Sequence, residues 1–230
     1  MQESEVKLLG AWPSPYTLRA RIAFNVKHVQ YEFVQENLAD KSELLLKSNP
    51  VHKKIPVLLH AGKPICESRI IVEYVDEVWT SAPSILPSDP YDRAVARFWA
   101  AYLDDKWYPS LKSVALAPNE EAKKEAIDQV ISGFVLLEEA FGKSSGGKTF
   151  FGGDQIGYLD IAFGGFLAWL RVTEKTNGIK LLDEAKTPQL AKWAESFCQH
   201  PAVSGVMPET DKLVEFAKFL FAKLRGNPPQ

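Results

Sequence analysis

A short apolar run, Val6-Lys7-Leu8-Leu9-Gly10-Ala11-Trp12, passes with almost no spacer into Pro13-Ser14-Pro15, after which Leu18, Ile22 and Val26 recur four residues apart. The first segment reads as a strand and the second as a helix, so a strand end turns directly into a helix start. Ser14 followed by Pro15 occupies the N-cap and first helical positions. Two readings of Ser14 are compatible. One is a cap and nothing more. The other is an anion site, where free N–H groups and the positive dipole end favour a negative ligand and Ser14 adds a hydroxyl donor.

The next segments complete one layered unit. Tyr31-Glu32-Phe33-Val34-Gln35 alternates like a half-buried strand, and Leu38 to Asn49 predicts a short helix carrying Lys41 and Lys47. Pro56-Val57-Leu58-Leu59-His60 is a third strand, Ala61-Gly62-Lys63-Pro64 a hairpin turn and Ile65-Cys66-Glu67 a fourth strand. Ser68 is expected to cap a helix with Ile70, Ile71, Tyr74, Val75 and Val78 on its apolar positions. The order predicts one sheet with parallel and antiparallel parts, flanked by helices.

Thr80 to Pro90 is a boundary, with three prolines and three serines in eleven residues. Beyond it no strand pattern survives. Asp89-Pro90 starts a long helix to about Val114, and Pro118-Asn119-Glu120-Glu121 starts another to Phe141-Gly142. Gly142 to Lys148 reads as a flexible loop rather than a nucleotide-binding one, because no strand feeds it. Ile156-Gly157-Tyr158-Leu159-Asp160-Ile161 predicts an N-cap at Gly157, an Ile156–Ile161 staple, and Asp160 accepting from the cap N–H. Thr187-Pro188 opens a helix to Gln199. The segment from Pro208 to Leu224 predicts a last one with Leu213, Phe216, Phe219 and Leu220 on one side.

Composition narrows the chemistry. A net charge of −2 on 230 residues provides no field to gather nucleic acid. Cys66 and Cys198 form neither a CxxC pair nor a zinc spacing, which argues against metal and dithiol chemistry and suits a reducing compartment. Residues 1–5 carry no signal-peptide pattern, and 227–230 no lipidation or peroxisomal signal. The apolar window from Ile161 to Leu170 holds two glycines and is half the length of a membrane span. These features predict a cytoplasmic protein with small molecules or its own copies as partners, and no nucleic acid or membrane.

Three further features bear on function. Proline opens a strand at Ile55-Pro56, either as an ordinary edge proline or as a cis bond that turns the Ile55 backbone toward an incoming peptide. Glu67-Ser68 joins a carboxylate and a hydroxyl at a strand-to-helix junction. Besides capping, that pair suits an amino-acid zwitterion. Lys41, Lys53 and Lys54 are solvated surface lysines or receptors for a second carboxylate. Together these are receptors for a ligand with an amino-acid end, a peptide middle, a distal carboxylate and a group at Ser14, which is the shape of glutathione.

With that set of motifs, the chain resembles the cytosolic glutathione transferases, and most closely the plant tau class. The resemblance rests on Trp12 to Arg19, Lys41-Ser42-Glu43-Leu44-Leu45, Asn49 to Leu58, Gly62 to Ser68 and Ile156 to Ala162, and it covers nearly the whole chain. It implies a thioredoxin-like glutathione-binding domain over 1–80, a linker over 81–90 and an all-helical domain over 91–230. By similarity, Ser14 hydrogen-bonds the glutathione sulfur, and Lys41 and Lys54 bind the glycyl carboxylate. Ile55, before a cis Pro56, pairs with the cysteinyl backbone; Glu67 and Ser68 take the γ-glutamyl end. Tyr108, Lys112, Trp169 and Phe216, with Tyr16 at the rim, are the candidates for the electrophile site.

The implied activity is conjugation of the glutathione thiolate to apolar electrophiles in detoxification, with hydroperoxide reduction as a side activity. The alternative is a non-catalytic carrier of apolar ligands. Glutathione would be a co-substrate, with no resident cofactor or metal. A C2 homodimer is implied as well, with Asp76, Glu77, Arg93 and Arg97 as candidates for crossed ion pairs. Two features depart from the family pattern: Pro13 stands where a small flexible residue is usual, and the last helix is family-variable.

Overall fold

The computed structural model describes residues 6–224 and Gly226; the segments 1–5 and 227–230, read above for targeting signals, lie outside the described residues. The first part of the chain runs β1 (Val6–Gly10), α1 (Pro15–Val26), β2 (Glu32–Gln35), α2 (Glu43–Ser48), β3 (Val57–His60), β4 (Lys63–Cys66) and α3 (Ser68–Val78). The sheet order is β2-β1-β3-β4, with β1 parallel to β2 and antiparallel to β3, and β3 antiparallel to β4. Because side chains alternate across a strand, Leu8 enters the core with Leu18, Ile22, Ile71 and Val75, while Leu9 faces Leu45 and Val57 on the other side. The sheet is therefore covered by α1 and α3 on one face and by α2 on the other. Ala61 and Gly62, with φ of 50° and 74°, make the two-residue turn that joins β3 to β4.

Several boundaries differ from the sequence expectation. The helix over Leu38–Asn49 is only Glu43–Ser48, because Asn37 folds residues 37–40 into a turn and accepts the Ala39 N–H at 3.0 Å through its side chain. Ser42 caps α2, donating its hydroxyl to Glu36 at 2.7 Å and accepting from Leu45 N–H at 3.0 Å. Glu67, not Ser68, is the N-cap of α3, and its φ of 72° rotates its side chain out of capping reach. Ser68 is the first helical residue and is buried.

The rest of the chain is helical: α4 (Pro90–Tyr102), α5 (Tyr108–Leu116), α6 (Glu120–Ser144), α7 (Tyr158–Gly164), α8 (Leu167–Asn177), α9 (Pro188–Gln199), α10 (Pro201–Ser204) and α11 (Thr210–Leu224). The long helix expected from Tyr91 to Val114 is interrupted by a π-helical turn, Leu103–Trp107. Pro109 accounts for it, since it lacks the N–H that would bond to the carbonyl four residues back. Helix α6 continues through Gly142 to Ser144, so the expected loop starts later. On α11, Leu213 is buried but Phe219 is 56% exposed and lies off the packed side.

Asp160 does more than its expected capping role. Its carboxylate accepts from the backbone N–H groups of Phe151 (2.8 Å), Gly152 (2.9 Å) and Gly157 (2.8 Å), and from Trp193 Nε1 at 2.7 Å. It pins the 151–157 loop onto α9. A Cβ at Gly164 would lie 2.1 Å from the buried Phe197 ring, so only glycine lets α7 approach α9 this closely.

The segment between α3 and α4 is tied down by Asp76. That carboxylate meets Lys27 Nζ at 2.9 Å and accepts from Ile85 N–H (2.8 Å) and Leu86 N–H (2.9 Å). Burial works to raise its pKa, but the two backbone donors and Lys27 outweigh burial and hold it below the ordinary carboxylate value. Asp76 is therefore committed within its own chain and is not a surface partner for another subunit. Arg97 is likewise engaged, in a two-point pair with Glu73.

Candidate functional site

The register of the sheet brings the sequence candidates to one edge. Leu9 pairs with Val57, and Val57 with Cys66. The carboxyl end of β1, the start of β3 and the end of β4 therefore lie side by side, and they lead respectively to Ser14, from Ile55-Pro56, and to Glu67-Ser68. The Ile55–Pro56 peptide bond is cis.

Ser14 is the N-cap of α1, with φ −80° and ψ 120°, and its Oγ accepts from Thr17 N–H at 3.2 Å. The hydroxyl acts there as acceptor, and its own proton, which is spent on no acceptor among the described residues, remains available for donation. The cap and donor roles coexist on one atom. The backbone of Ser14 is fixed on the other side by its N–H to Ala11 O at 3.0 Å.

The loop before Pro56 is held by Asn49, which the sequence reading placed only at the end of the preceding helix, where it is the C-cap of α2. Asn49 is buried, donates to Lys54 O at 2.9 Å and accepts from His52 N–H at 3.1 Å. It fixes the backbone that presents Lys53, Lys54 and Ile55. Lys41 and Lys54 are exposed. Glu67 is exposed with His52 4.0 Å away, while the Ser68 hydroxyl is buried and accepts from Arg19 Nη1 at 3.3 Å. Cys66 is next to this edge, but burial and then the Glu67 charge push its thiol up, so it is a poor thiolate.

Arg19 is the second functional residue missed from the sequence. It is fully buried, and its guanidinium spans from α1 to the helical half. It donates to Asp104 at 2.6 and 3.1 Å, to Ala162 O at 2.7 and 3.0 Å, and lies 4.5 Å over the Phe166 ring. Arg69 joins Asp104 at 3.2 Å. The available signal was a charged residue between Leu18 and Ala20 on a helix otherwise rich in small apolar residues. The π turn that carries Asp104 had no readable signature.

Of the electrophile candidates, Tyr108, Lys112 and Trp169 are brought together around a pocket of about 80 Å³, with Leu111, Thr173 and Phe221. Tyr16 and Phe216 do not line it but flank it. The Tyr16 ring meets Tyr108 edge-on at 6.1 Å, and Phe216 meets Trp169 edge-on at 6.5 Å. Tyr108 stacks on Phe166 at 4.0 Å, and burial drives its phenol well above the ordinary value. Burial, followed by Asp104, also raises Tyr16, so both phenols stay neutral. Trp169 Nε1 donates to Pro13 O at 2.8 Å, one residue before Ser14. That bond ties the apolar pocket to the start of α1. A larger cavity of about 450 Å³ between residues 84–87, α4, the end of α6 and the start of α7 is lined by none of the candidate residues.

Comparison with known proteins agrees with this geometry. The glutathione S-transferase N-terminal domain family model matches residues 4–77, and the glutathione S-transferase C-terminal domain model matches residues 120–196. Glutathione S-transferase U17 of Arabidopsis thaliana is 65% identical, over 97% of this chain and 99% of its own length. The crystal structure of a tau-class glutathione S-transferase from mango, Mangifera indica, is 71% identical with a TM-score of 0.91, covering 94% of this chain and 98% of that one. A rice glutathione transferase, solved in complex with glutathione, is 36% identical with a TM-score of 0.88, over 97% of this chain and 99% of its own.

Proposed function

Since the chain belongs to the glutathione S-transferases, in their tau class, we propose that Ser14 activates the glutathione sulfur and that the sheet edge beside it holds the tripeptide. Residues 1–80 would form the glutathione-binding part, 81–90 the linker, and 91–230 the helical part facing the electrophile. The observation that carries the reading is a Ser14 hydroxyl with its proton unspent at a helix N-terminus, on the same sheet edge as Ile55 and Glu67-Ser68.

In this mechanism the Ser14 O–H donates to the sulfur and stabilises its anionic form. A thiol of pKa about 8.5 must lose roughly two units to be mostly thiolate at neutral pH, which is about 2.7 kcal/mol. A hydrogen bond to a charged acceptor contributes about 1.5–3 kcal/mol and the helix N-terminus about 0.3–1. Those two sources suffice without a general base. The Ile55 backbone pairs with the cysteinyl unit, Glu67 takes the γ-glutamyl ammonium, Ser68 and its helix start take that unit's carboxylate, and Lys41 and Lys54 meet the glycyl carboxylate. The electrophile lies against Tyr108, Lys112 and Trp169, with Tyr16 and Phe216 at the flanks. The thiolate forms the new C–S bond there as the leaving group departs with its electron pair.

The protein would act in the cytoplasm as a homodimer. Ile70 and Val78 of α3 and Tyr91 and Phe98 of α4 are exposed apolar residues on the two helices that join the halves. Glu77 and Arg93 are left as candidates for crossed pairs. Light scattering at micromolar concentration tests this, and a monomer would refute it.

Ser14→Ala tests the mechanism. Turnover of a chloronitroaromatic at neutral pH should fall about ten- to a hundredfold and recover partly as pH rises, because the bound thiol loses about 1.5–3 kcal/mol of stabilisation of its charged form. An unmoved pH profile at the parent rate would leave Ser14 as a cap alone. Binding of apolar ligands without turnover in the parent protein would favour the carrier.

A further inference from the structure

The pocket beside Trp169 is apolar except at one point. Its ten lining residues include a single formal charge, that of Lys112. Two neutral donors of the lining are committed, Trp169 Nε1 to Pro13 O at 2.8 Å and the Thr173 hydroxyl to Trp169 O at 3.0 Å, and the Tyr108 phenol, which burial keeps protonated, is a neutral donor that carries no charge to tell an acid from an amide. Lys112 is exposed, sits 5.2 Å over the Tyr108 ring, and makes no ion pair among the described residues. At about 80 Å³ the pocket is smaller than the roughly 150 Å³ apolar cavity that accepts benzene. A ligand therefore inserts a ring edge or chain end and leaves the rest outside, past Lys112 and the exposed Leu224.

We propose that this site selects apolar compounds that carry a carboxylate, with Lys112 as the residue that discriminates them from their neutral counterparts. The inference rests on the assignment of this pocket to the electrophile. An apolar wall holds the hydrocarbon part of any such compound about equally, and cannot by itself tell an acid from an amide of the same shape. A lone ammonium at the mouth can, since nothing acidic in the lining competes for it. The Lys112 ammonium sits over the face of the Tyr108 ring, which restricts where the charge is presented.

The experiment uses two electrophiles, a chloronitrobenzoate and the matching neutral chloronitrobenzamide. In each, the glutathione sulfur bonds to the ring carbon and chloride leaves with the C–Cl electron pair. The quantity read is the ratio of kcat/KM for acid over amide in the parent, Lys112→Met and Lys112→Arg, so differences in intrinsic reactivity cancel. Lys112→Met should lower that ratio about three- to fivefold, the scale of a partly solvated ion pair. Lys112→Arg should keep it, and added salt should narrow the parent's ratio toward that of the Met variant. An unchanged ratio in Lys112→Met would overturn the proposal while leaving the transferase reading intact. If the parent conjugates neither compound, the assignment of the pocket fails instead. Equilibrium dialysis of the same pair then decides the role of Lys112: an equal preference for the acid in parent and Met variant overturns it, and a lost preference supports it.

Discussion

Replacing Arg19 by methionine tests a buried contact between the two halves of the chain, made alongside the bond from Trp169 to Pro13. Methionine keeps most of the stem volume and removes the guanidinium. The lost bonds are two to Asp104 at 2.6 and 3.1 Å, two to Ala162 O at 2.7 and 3.0 Å, and one to Ser68 Oγ at 3.3 Å. Breaking a buried pair from one side costs about 3–5 kcal/mol, chiefly because the partner charge is stranded. Asp104 is 16% exposed and keeps Arg69 at 3.2 Å, which places the expected cost toward the lower end for that pair. The Ala162 carbonyl then loses both donors, for about 1–3 kcal/mol that overlaps with the first figure rather than adding to it. We expect a loss of about 3–5 kcal/mol, a large part of a typical total of about 5–15. Urea unfolding followed by tryptophan fluorescence and by far-ultraviolet circular dichroism measures it, and the two probes should separate if the halves uncouple. The Michaelis constant for glutathione should also rise, since Ser68 loses the donor that orients it. In a double-mutant cycle, Asp104→Leu added to Arg19→Met should restore part of the loss by removing the stranded charge. A cost under about 1 kcal/mol with an unmoved Michaelis constant would refute this account of Arg19.

Other perturbations follow from the same geometry. Asp76→Asn should cost about 3 kcal/mol at neutral pH by stranding Lys27 and weakening the hold on Ile85 and Leu86. Because the folded Asp76 carboxyl lies below its unfolded value, the parent's stabilisation is complete above about pH 4 and is lost as pH falls through the lower folded value. Urea midpoints over that acid range should fall more steeply for the parent than for Asp76→Asn, and parallel curves would contradict the assignment. Trp169→Phe keeps a ring but deletes the donor to Pro13 O, so it should cost about 1 kcal/mol and lower turnover more than it changes the Michaelis constant for glutathione. Retention of the parent turnover and pH profile would mean that the bond does not position Ser14. Gly164→Ala puts a methyl 2.1 Å from Phe197, and a fall in thermal midpoint matching about 1–3 kcal/mol or more is expected. Unchanged melting would show that α7 and α9 can move apart freely.

What the sequence determined was local and periodic. The strand-to-helix junction at Ser14 and the cap at Gly157 follow from residue types whose preferred backbone is realised within a few positions, whereas the hairpin turn read over Ala61–Pro64 is only Ala61-Gly62, because Lys63 and Pro64 join β4. At Ile55-Pro56 the residues left an edge proline and a cis bond open, and the resemblance chose the cis bond that the structure shows, because its motif encodes backbone that no propensity scale distinguishes. What only the tertiary structure decided was which polar side chains find partners far away along the chain. Arg19 meets Ala162, Asp76 meets Lys27, and Trp169 meets Pro13. In each case the sequence shows a donor or acceptor with no local partner, and burial alone makes that partner obligatory. The cap at Glu67 rather than Ser68, and the π turn before Pro109, were misread for a related reason. A cap position depends on backbone angles set by the sheet, and an added residue in a helix leaves the apolar spacing almost unchanged. Periodicity specifies which face of an element is buried, but the pairing of buried polar groups is fixed only when those faces close on one another.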